Sequence, residues 1–411
     1  MLQPSQIIQA MQFDGFYTRN PVNTDDEPRL TITYQFAGNS APGDLPTNNN
    51  YGGWRNFTAA EEASFAEAFT HIETFLNVDF VEVSGNADPD LNIGSVTIPG
   101  NTVGVGGYSI SYRGNDISNW EGYVVFDNTL DMSQDNRESL ILHELGHALG
   151  LEHPFSADPP LPDEYENNLY SVMSYTENPI NGQDSDAMML FDVLALQDIW
   201  GAAGYNTGNT IYRGSRTDTV DVVWDTGGRD TFNASDRTNA VALDLREAHF
   251  SSFDAESDVT IAYGSTIENA IGGRGRDRIV GNDANNRLVG GGGRDTLRGD
   301  GGNDALNGNS GVDLLVGGGG NDRLNGAGGN DRLVGNSGAD IFVFARNGGN
   351  DTVRDFQDDI DTLRIVGHGN RAEVLARASE IDGDLFFDLD GNHSVTLRNM
   401  TLDQINDDLL V

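Results

Sequence analysis

Cysteine and lysine are both missing from this 411-residue chain. Without cysteine there are no disulfides and no thiolate metal sites, so a transition metal has only histidine, carboxylate or tyrosine to hold it. Basic side chains are scarce: 24 arginines face 64 acidic residues, a formal net charge of −40. That balance argues against a nucleic-acid partner, because phosphate binding needs a basic patch, and it makes metal cations the natural counter-charge. No run approaches the ~20 apolar residues that span a bilayer, so stable membrane insertion is not expected. The N-terminal stretch MLQPSQIIQAMQFDGFYTRN lacks the basic start and continuous apolar core of a standard signal peptide. Export, if it occurs, uses another route. Acidity is spread along the chain, with 30 acidic against 5 basic residues before position 211 and 34 against 19 after it.

The length suggests two domains, and the composition changes near residue 205. Residues 1–205 read as an α/β domain. FTAAEEASFAEAFTHIETFLNV (57–78) has helical apolar spacing behind a capping Thr58, and further helices are expected over about 136–149 and 186–200. DFVEV, LNIGSV and GYVVFDN are strand-like. From 206 to 411 the chain is rich in Gly, Asn, Asp and Thr, with short strand-like runs in place of helices.

Three of the seven histidines fall in HELGHALGLEHP (143–154). His143 and His147 lie one helical turn apart on one face, so both imidazoles can reach one ion. Glu144 is rotated about 100° from His143, within reach of a water at that ion. Gly150 ends the helix and the returning chain brings His153 over as a third ligand. Three histidines leave an open position, the pattern of catalytic zinc. A structural zinc would need a fourth protein ligand and leaves Glu144 without a role. Leu140, Leu145, Ala148 and Leu149 are expected to seat the helix on the core, and the other histidines (71, 249, 368, 393) stand alone in core or surface contexts.

A nine-residue repeat runs eight times, from GGRGRDRIV (272–280) to GNSGADIFV (335–343). First-position glycines, Gly272 and Gly290 among them, occur in all eight units. Fourth-position glycines, including Gly275, Gly302, Gly311, Gly320, Gly329 and Gly338, occur in seven, and so does a sixth-position aspartate. Position eight is always Ile, Leu or Phe. A flexible Gly-rich linker has no reason to keep such register. Glycines allow tight turns with converging carbonyls, the aspartate adds a hard charged oxygen suited to Ca²⁺, and the eighth residue points inward, so units must stack.

This run resembles the calcium-binding repeat of RTX proteins, which winds into a parallel β-roll with two nonapeptides per coil. The resemblance implies shared calcium ions along one row of Asp277, Asp295, Asp313 and Asp331, and another of Asp304, Asp322 and Asp340. In the second unit Asn286 replaces Asp and Ala284 replaces Gly, so that site should be weak or empty. The full HExxHxxGxxHP resembles the metzincin zinc-protease signature, and SVMSY (171–175) supplies a candidate methionine turn with Met173. Together with ALQDIWG, WDTGGRDTF, TIENAIGG, the nonapeptides and a DDLLV ending, the chain from about residue 50 resembles the serralysins, secreted bacterial metalloproteases.

That resemblance implies a metzincin catalytic domain over 1–205, its first ~20 residues possibly a short propeptide, followed by a calcium-binding β-roll over 206–411. It implies zinc on His143, His147 and His153, Glu144 as general base, and Tyr175 as a displaceable zinc ligand that then binds the oxyanion. Met173 would pack beneath the ligands. Substrates would be proteins or peptides, with GYVVFDN (122–128) as an edge strand for β-pairing. The tail TLDQINDDLLV resembles the uncleaved signal for an ABC-type, single-step exporter, and a monomer is the family expectation. Tyr175 as a plain core tyrosine, an inactive calcium-binding adhesion or matrix protein, and a protease with a narrow processing role remain alternatives.

Overall fold

In the computed structural model all residues are described except 1, 44, 46–48, 50, 86, 87, 217, 218 and 406, so one residue of the C-terminal tail, Asn406, lies outside the described residues. Backbone contacts divide the chain into two compact units: Met1–Tyr205 with Arg216–Trp224, and Asn206–Ser215 with Asp225–Val411. Composition alone puts Arg216–Trp224 in the second half. The segment instead packs with the first unit, where the Trp224 indole donates to the Ala203 carbonyl at 2.8 Å.

The first unit contains helices α1 (Pro4–Met11) and α2 (Asp14–Tyr17), strands β1 (Leu30–Phe36) and β2 (Gly52–Arg55), helix α3 (Ala59–Glu73), strands β3 (Val78–Glu82), β4 (Leu91–Thr97), β5 (Gly104–Arg113) and β6 (Asp116–Asp127), and helices α4 (Glu138–Leu149) and α5 (Leu190–Trp200). Its sheet runs β3-β1-β4-β6-β5, with β2 also on β4. Only the β5 and β2 pairings are antiparallel. The edge-strand expectation for 122–128 is wrong. Val124 in β6 pairs with Ile93 on one side and Gly106 on the other, so β6 is interior and β5 is the edge. The physical reason is legible afterwards: a continuous VVF run is buried on both faces, as interior strands require, whereas β5 alternates and is rich in glycine.

Thr58 caps α3 in a reciprocal box with Glu61, as its position suggests. The helix stops at Glu73, sooner than the apolar spacing indicates, and Val78 already begins β3. Helices α1 and α2 pack into this unit: Ile7, Met11 and Phe16 are buried, and the Gln12 amide donates to the Ala195 carbonyl and to Asp198.

In the second unit, successive nonapeptides alternate between two parallel sheets. One includes Arg278–Val280, Thr296–Gly301, Leu314–Gly319 and Arg332–Ser337; the other includes Arg287–Gly293, Ala305–Gly311, Arg323–Gly328 and Ile341–Phe344. Leu297 pairs with Leu315 and Leu315 with Leu333, while Leu288, Leu306, Leu324 and Phe342 are in register on the opposite sheet. All these eighth-position side chains are buried. This is a parallel β-roll with two nonapeptides per coil, its core a double ladder of aliphatics.

His71, in the last turn of α3, accepts the Met188 N–H at Nε2 (3.0 Å) and packs on Phe75. Burial, aided by Arg216, pushes its pKa down to about 4. The unfolded chain then binds the proton more readily, so His71's contribution is present above the unfolded value near 6.5 and is lost as pH falls towards 4. All four tryptophans lie in this unit. Tryptophan fluorescence of the full chain should show the first unit losing about 2 kcal/mol more between pH 7 and 5 in wild type than in His71→Gln; equal slopes would refute this role.

Candidate metal centre

Helix α4 buries Ile141, Leu142, Leu145, Ala148 and Leu149, which set its rotation; Leu140, expected among them, is only partly buried. Gly150 ends the helix in the left-handed region (φ 112°). Its N–H donates to the His147 carbonyl at 3.2 Å and the Leu151 N–H to the Gly146 carbonyl at 2.8 Å, closing a Schellman turn. The Glu152 N–H then bonds the Met11 carbonyl (2.8 Å), and this fixes the return that presents His153.

The three predicted histidines come together. Nε2 of His153 lies 3.1 Å from Nε2 of His147 and 3.2 Å from Nε2 of His143. Nδ1 of His143 donates to the Val172 carbonyl (2.9 Å) and Nδ1 of His147 to the Leu151 carbonyl (2.8 Å), which leaves a lone pair on each Nε2 aimed at the shared point. Burial lowers all three pKa values, His147 to about 3 and His153 to about 4. Neutral imidazoles with anchored outer nitrogens suit a zinc-like cation, and three converging lone pairs cannot satisfy one another.

Glu144 is buried beside this point, and burial raises its pKa to about 7 against the opposing Gly106 N–H bond. Strand β5 comes this close only because it carries glycine: a Cβ at Gly106 would lie 2.0 Å from the Glu144 carbonyl oxygen, and one at Gly104 2.7 Å from Oε1. Met173 is fully buried beneath α4, where a Cβ at Gly146 would meet its sulfur at 2.6 Å. Tyr175 is 70% exposed, which rules out the core-tyrosine alternative. Its ring centroid lies 4.7 Å from that of His153 and 5.5 Å from that of His143. An open cleft of about 460 Å³ borders His143, Glu144 and Tyr175.

Sequence reasoning missed Asp192. In the first turn of α5 it is fully buried and accepts from Ser171 Oγ (2.7 Å), Val172 N–H (2.8 Å) and Met189 N–H (2.9 Å), so it supports the turn whose Val172 carbonyl orients His143. Its signal, an acid three residues into a helix, is common to many caps.

In the roll, each coil aspartate accepts at Oδ1 the N–H of the aspartate or asparagine 18 residues earlier. Asp277 N–H donates to Asp295, Asp295 to Asp313, Asp313 to Asp331, Asn286 to Asp304, Asp304 to Asp322 and Asp322 to Asp340, at 2.7–2.9 Å. Oδ2 of Asp295, Asp304, Asp313, Asp322, Asp331 and Asp340 is buried with no partner. Burial first, and for several neighbouring carboxylates next, raises these pKa values, to about 7 at Asp295 and Asp304. First-position glycines stand against those oxygens: a Cβ at Gly299 would be 2.0 Å from Asp304 Oδ2 and 2.5 Å from the Gly317 carbonyl. Orphan carboxylate oxygens beside converging carbonyls fit Ca²⁺. Asp277 differs, since both its oxygens accept N–H bonds, from Val241 and Gly273. Asn286 is satisfied internally through Asn282 and Glu268.

The ladder also continues beyond the last nonapeptide. Asp331 N–H donates to Asp351 and Asp340 N–H to Asp361, both at 2.9 Å, but at spacings of 20 and 21 residues that hide them from an 18-residue repeat. A further acidic group, Asp225, Asp230 and Glu268, lies outside the repeats, with Asp230 Oδ2 buried and unpartnered. WDTGGRDTF and TIENAIGG carry these residues.

The family described as Peptidase M10 serralysin C terminal matches residues 199–408. Serralysin of Photorhabdus laumondii is 30% identical over 321 residues, 68% of this chain and 65% of the relative. Metallopeptidase AprA of Pseudomonas marginalis is 29% identical over 304 residues, 63% of this chain and 61% of its own length. The chain thus spans somewhat less than two thirds of these relatives. Among solved structures, an extracellular lipase LipA from Serratia marcescens aligns at 18% identity over 51% of this chain and 39% of its own, with a TM-score of 0.20, too low to bear on the fold. Half of the chain matched by the family, on a roll whose carboxylates and glycines keep that repeat's register, makes this protein a member of the serralysin family of M10 peptidases.

Proposed function

We propose that the chain is a secreted, zinc-dependent endopeptidase whose roll is folded and held by calcium. The observation that carries the reading is the convergence of three neutral imidazole nitrogens next to a buried glutamate of raised pKa. Relatives named serralysin and metallopeptidase support it.

His143, His147 and His153 would hold the zinc, with Tyr175 as an additional displaceable ligand. Bound there, zinc supplies Lewis-acid activation of water and of the scissile carbonyl. Glu144 accepts the proton of the attacking water and passes it to the leaving nitrogen. The Gly106 N–H keeps its carboxylate facing the site. Tyr175 donates a hydrogen bond from its phenol to the oxyanion that forms, and its exposure leaves it room to move. The substrate lies extended along β5, the sheet edge next to Glu144, adding as a further strand.

Calcium would occupy the rows Asp277, Asp295, Asp313, Asp331 and Asp304, Asp322, Asp340, extended by Asp351 and Asp361, with carbonyls from the first- and fourth-position glycines. Asn286 leaves a gap. At low calcium the carboxylates repel and the roll stays unfolded, fit for an ABC-type exporter that reads the C-terminal tail; outside, binding free energy becomes folding free energy. No helix among the described residues is long and apolar enough to cross a membrane. The working form is a monomer.

With zinc and calcium bound, wild-type protein should hydrolyse casein, while Glu144→Ala keeps its zinc but loses activity about 10²- to 10⁴-fold. A variant that binds zinc and still cuts at the wild-type rate removes Glu144 from the mechanism.

Circular dichroism should show the roll's β-signal appearing only as calcium is titrated into chelated protein. Asp313→Asn should raise the midpoint concentration about tenfold, equivalent to about 1.4 kcal/mol, and Asn286→Asp, which completes its row, should lower it. A β-signal already complete in chelator overturns the calcium reading.

A further inference from the structure

The three imidazoles are not held alike. His143 and His147 each anchor Nδ1 on a backbone carbonyl. Nδ1 of His153 has no protein hydrogen bond among the described residues, although this ring closes the triad at 3.1 and 3.2 Å. Its partner is a ring. Phe155 lies flat on His153, with centroids 4.9 Å apart and planes 10° apart, and remains 44% exposed. A large apolar side chain left in solvent two residues past a candidate ligand loses burial there unless its position matters. The same ring meets Tyr175 at 5.3 Å and 47°, while Tyr175 meets His153 at 4.7 Å and 56°. Phe155 and His153 thus form an angled seat for the exposed phenol, and Phe155 is the one ring in that seat that is not a candidate ligand.

Resting on the zinc reading above, the geometry points to Phe155 as the positioning residue for His153, its stacked face taking the place of the outer hydrogen bond that the other two ligands possess, and to the same ring seating Tyr175. Outer contacts of this kind fix ligand orientation, and their loss typically weakens metal binding about 10- to 100-fold. A flat aromatic face can supply that restraint, because ring pairs are attracted beyond their buried area and only over a narrow range of geometry. An aliphatic side chain of similar bulk fills the space without defining a plane.

The test measures zinc affinity of the full calcium-loaded chain by chelator competition, for wild type, Phe155→Ala, Phe155→Leu and Phe155→Tyr. The thermal midpoint of the first unit is followed alongside. Phe155→Ala and Phe155→Leu should both bind zinc about tenfold more weakly, with midpoints of the zinc-free protein unchanged, and Phe155→Tyr should restore wild-type affinity. In peptide hydrolysis the Ala and Leu variants should lose kcat with KM unchanged. Wild-type zinc affinity in Phe155→Ala, or rescue by Leu as well as by Tyr, overturns the proposal; a rise in KM with kcat intact also overturns it and makes Phe155 a substrate contact instead. If wild type hydrolyses nothing while the affinity pattern holds, the peptidase reading fails and the positioning role stands.

Discussion

Buried lone pairs without protein partners are the constraint on which both units depend. In the first unit three Nε2 atoms face one point, and in the second a file of Oδ2 atoms lines the roll with no donor in reach. A buried polar atom left unpaired costs on the order of 1–3 kcal/mol, and a buried carboxylate more. Proteins normally meet such groups with their own donors, most often arginine or lysine. This chain has no lysine, and its candidate ligand aspartates carry none of the ion pairs found among the described residues. Cations from solution are the complement that remains.

Such sites require backbone to approach side chains more closely than a Cβ permits, and glycine is spent where that happens. Gly146 admits the Met173 sulfur beneath the zinc helix, and Gly106 admits the Glu144 carbonyl to the sheet edge. Along the roll, fourth-position glycines stack so tightly that a Cβ at Gly311 would sit 1.4 Å from the Gly293 carbonyl, with φ at 150°. An alanine there would part the coils. The repeat's strictness therefore follows from this close backbone approach more than from flexibility.

What could be read in the sequence was whatever has a fixed period. The i, i+4 histidines, the glycine stop and the third histidine are local spacings, and the structure places His143, His147 and His153 together. The nonapeptides keep an 18-residue coil, so the two rows of aspartates and the buried aliphatics were legible in register. The rest depended on tertiary pairing. Asp192 reaches the methionine turn from a helix 20 residues away, and Asp351 and Asp361 join the ladder only after the coil lengthens. The sheet's edge is not legible in GYVVFDN, because an apolar run buried on both faces belongs inside. Phe155 carried no signal at all until its ring was seen on His153.

On the zinc and calcium reading the two metal dependences differ in kind. In the first unit protein contacts hold the ligands: His143 and His147 are fixed by carbonyls, Met173 and Asp192 are buried in the core, and the imidazoles are neutral. Removing zinc from such a site would cost catalysis and leave the scaffold standing. In the roll the candidate ligands are like charges, whose pKa values are raised first by burial and then by neighbouring carboxylates. As these carboxylates ionise, without a cation their repulsion would act along the whole stack, with a core of only two eighth-position side chains per coil to oppose it. On that reading calcium would be part of the fold in the second unit, whereas zinc in the first would occupy a site that protein contacts already hold.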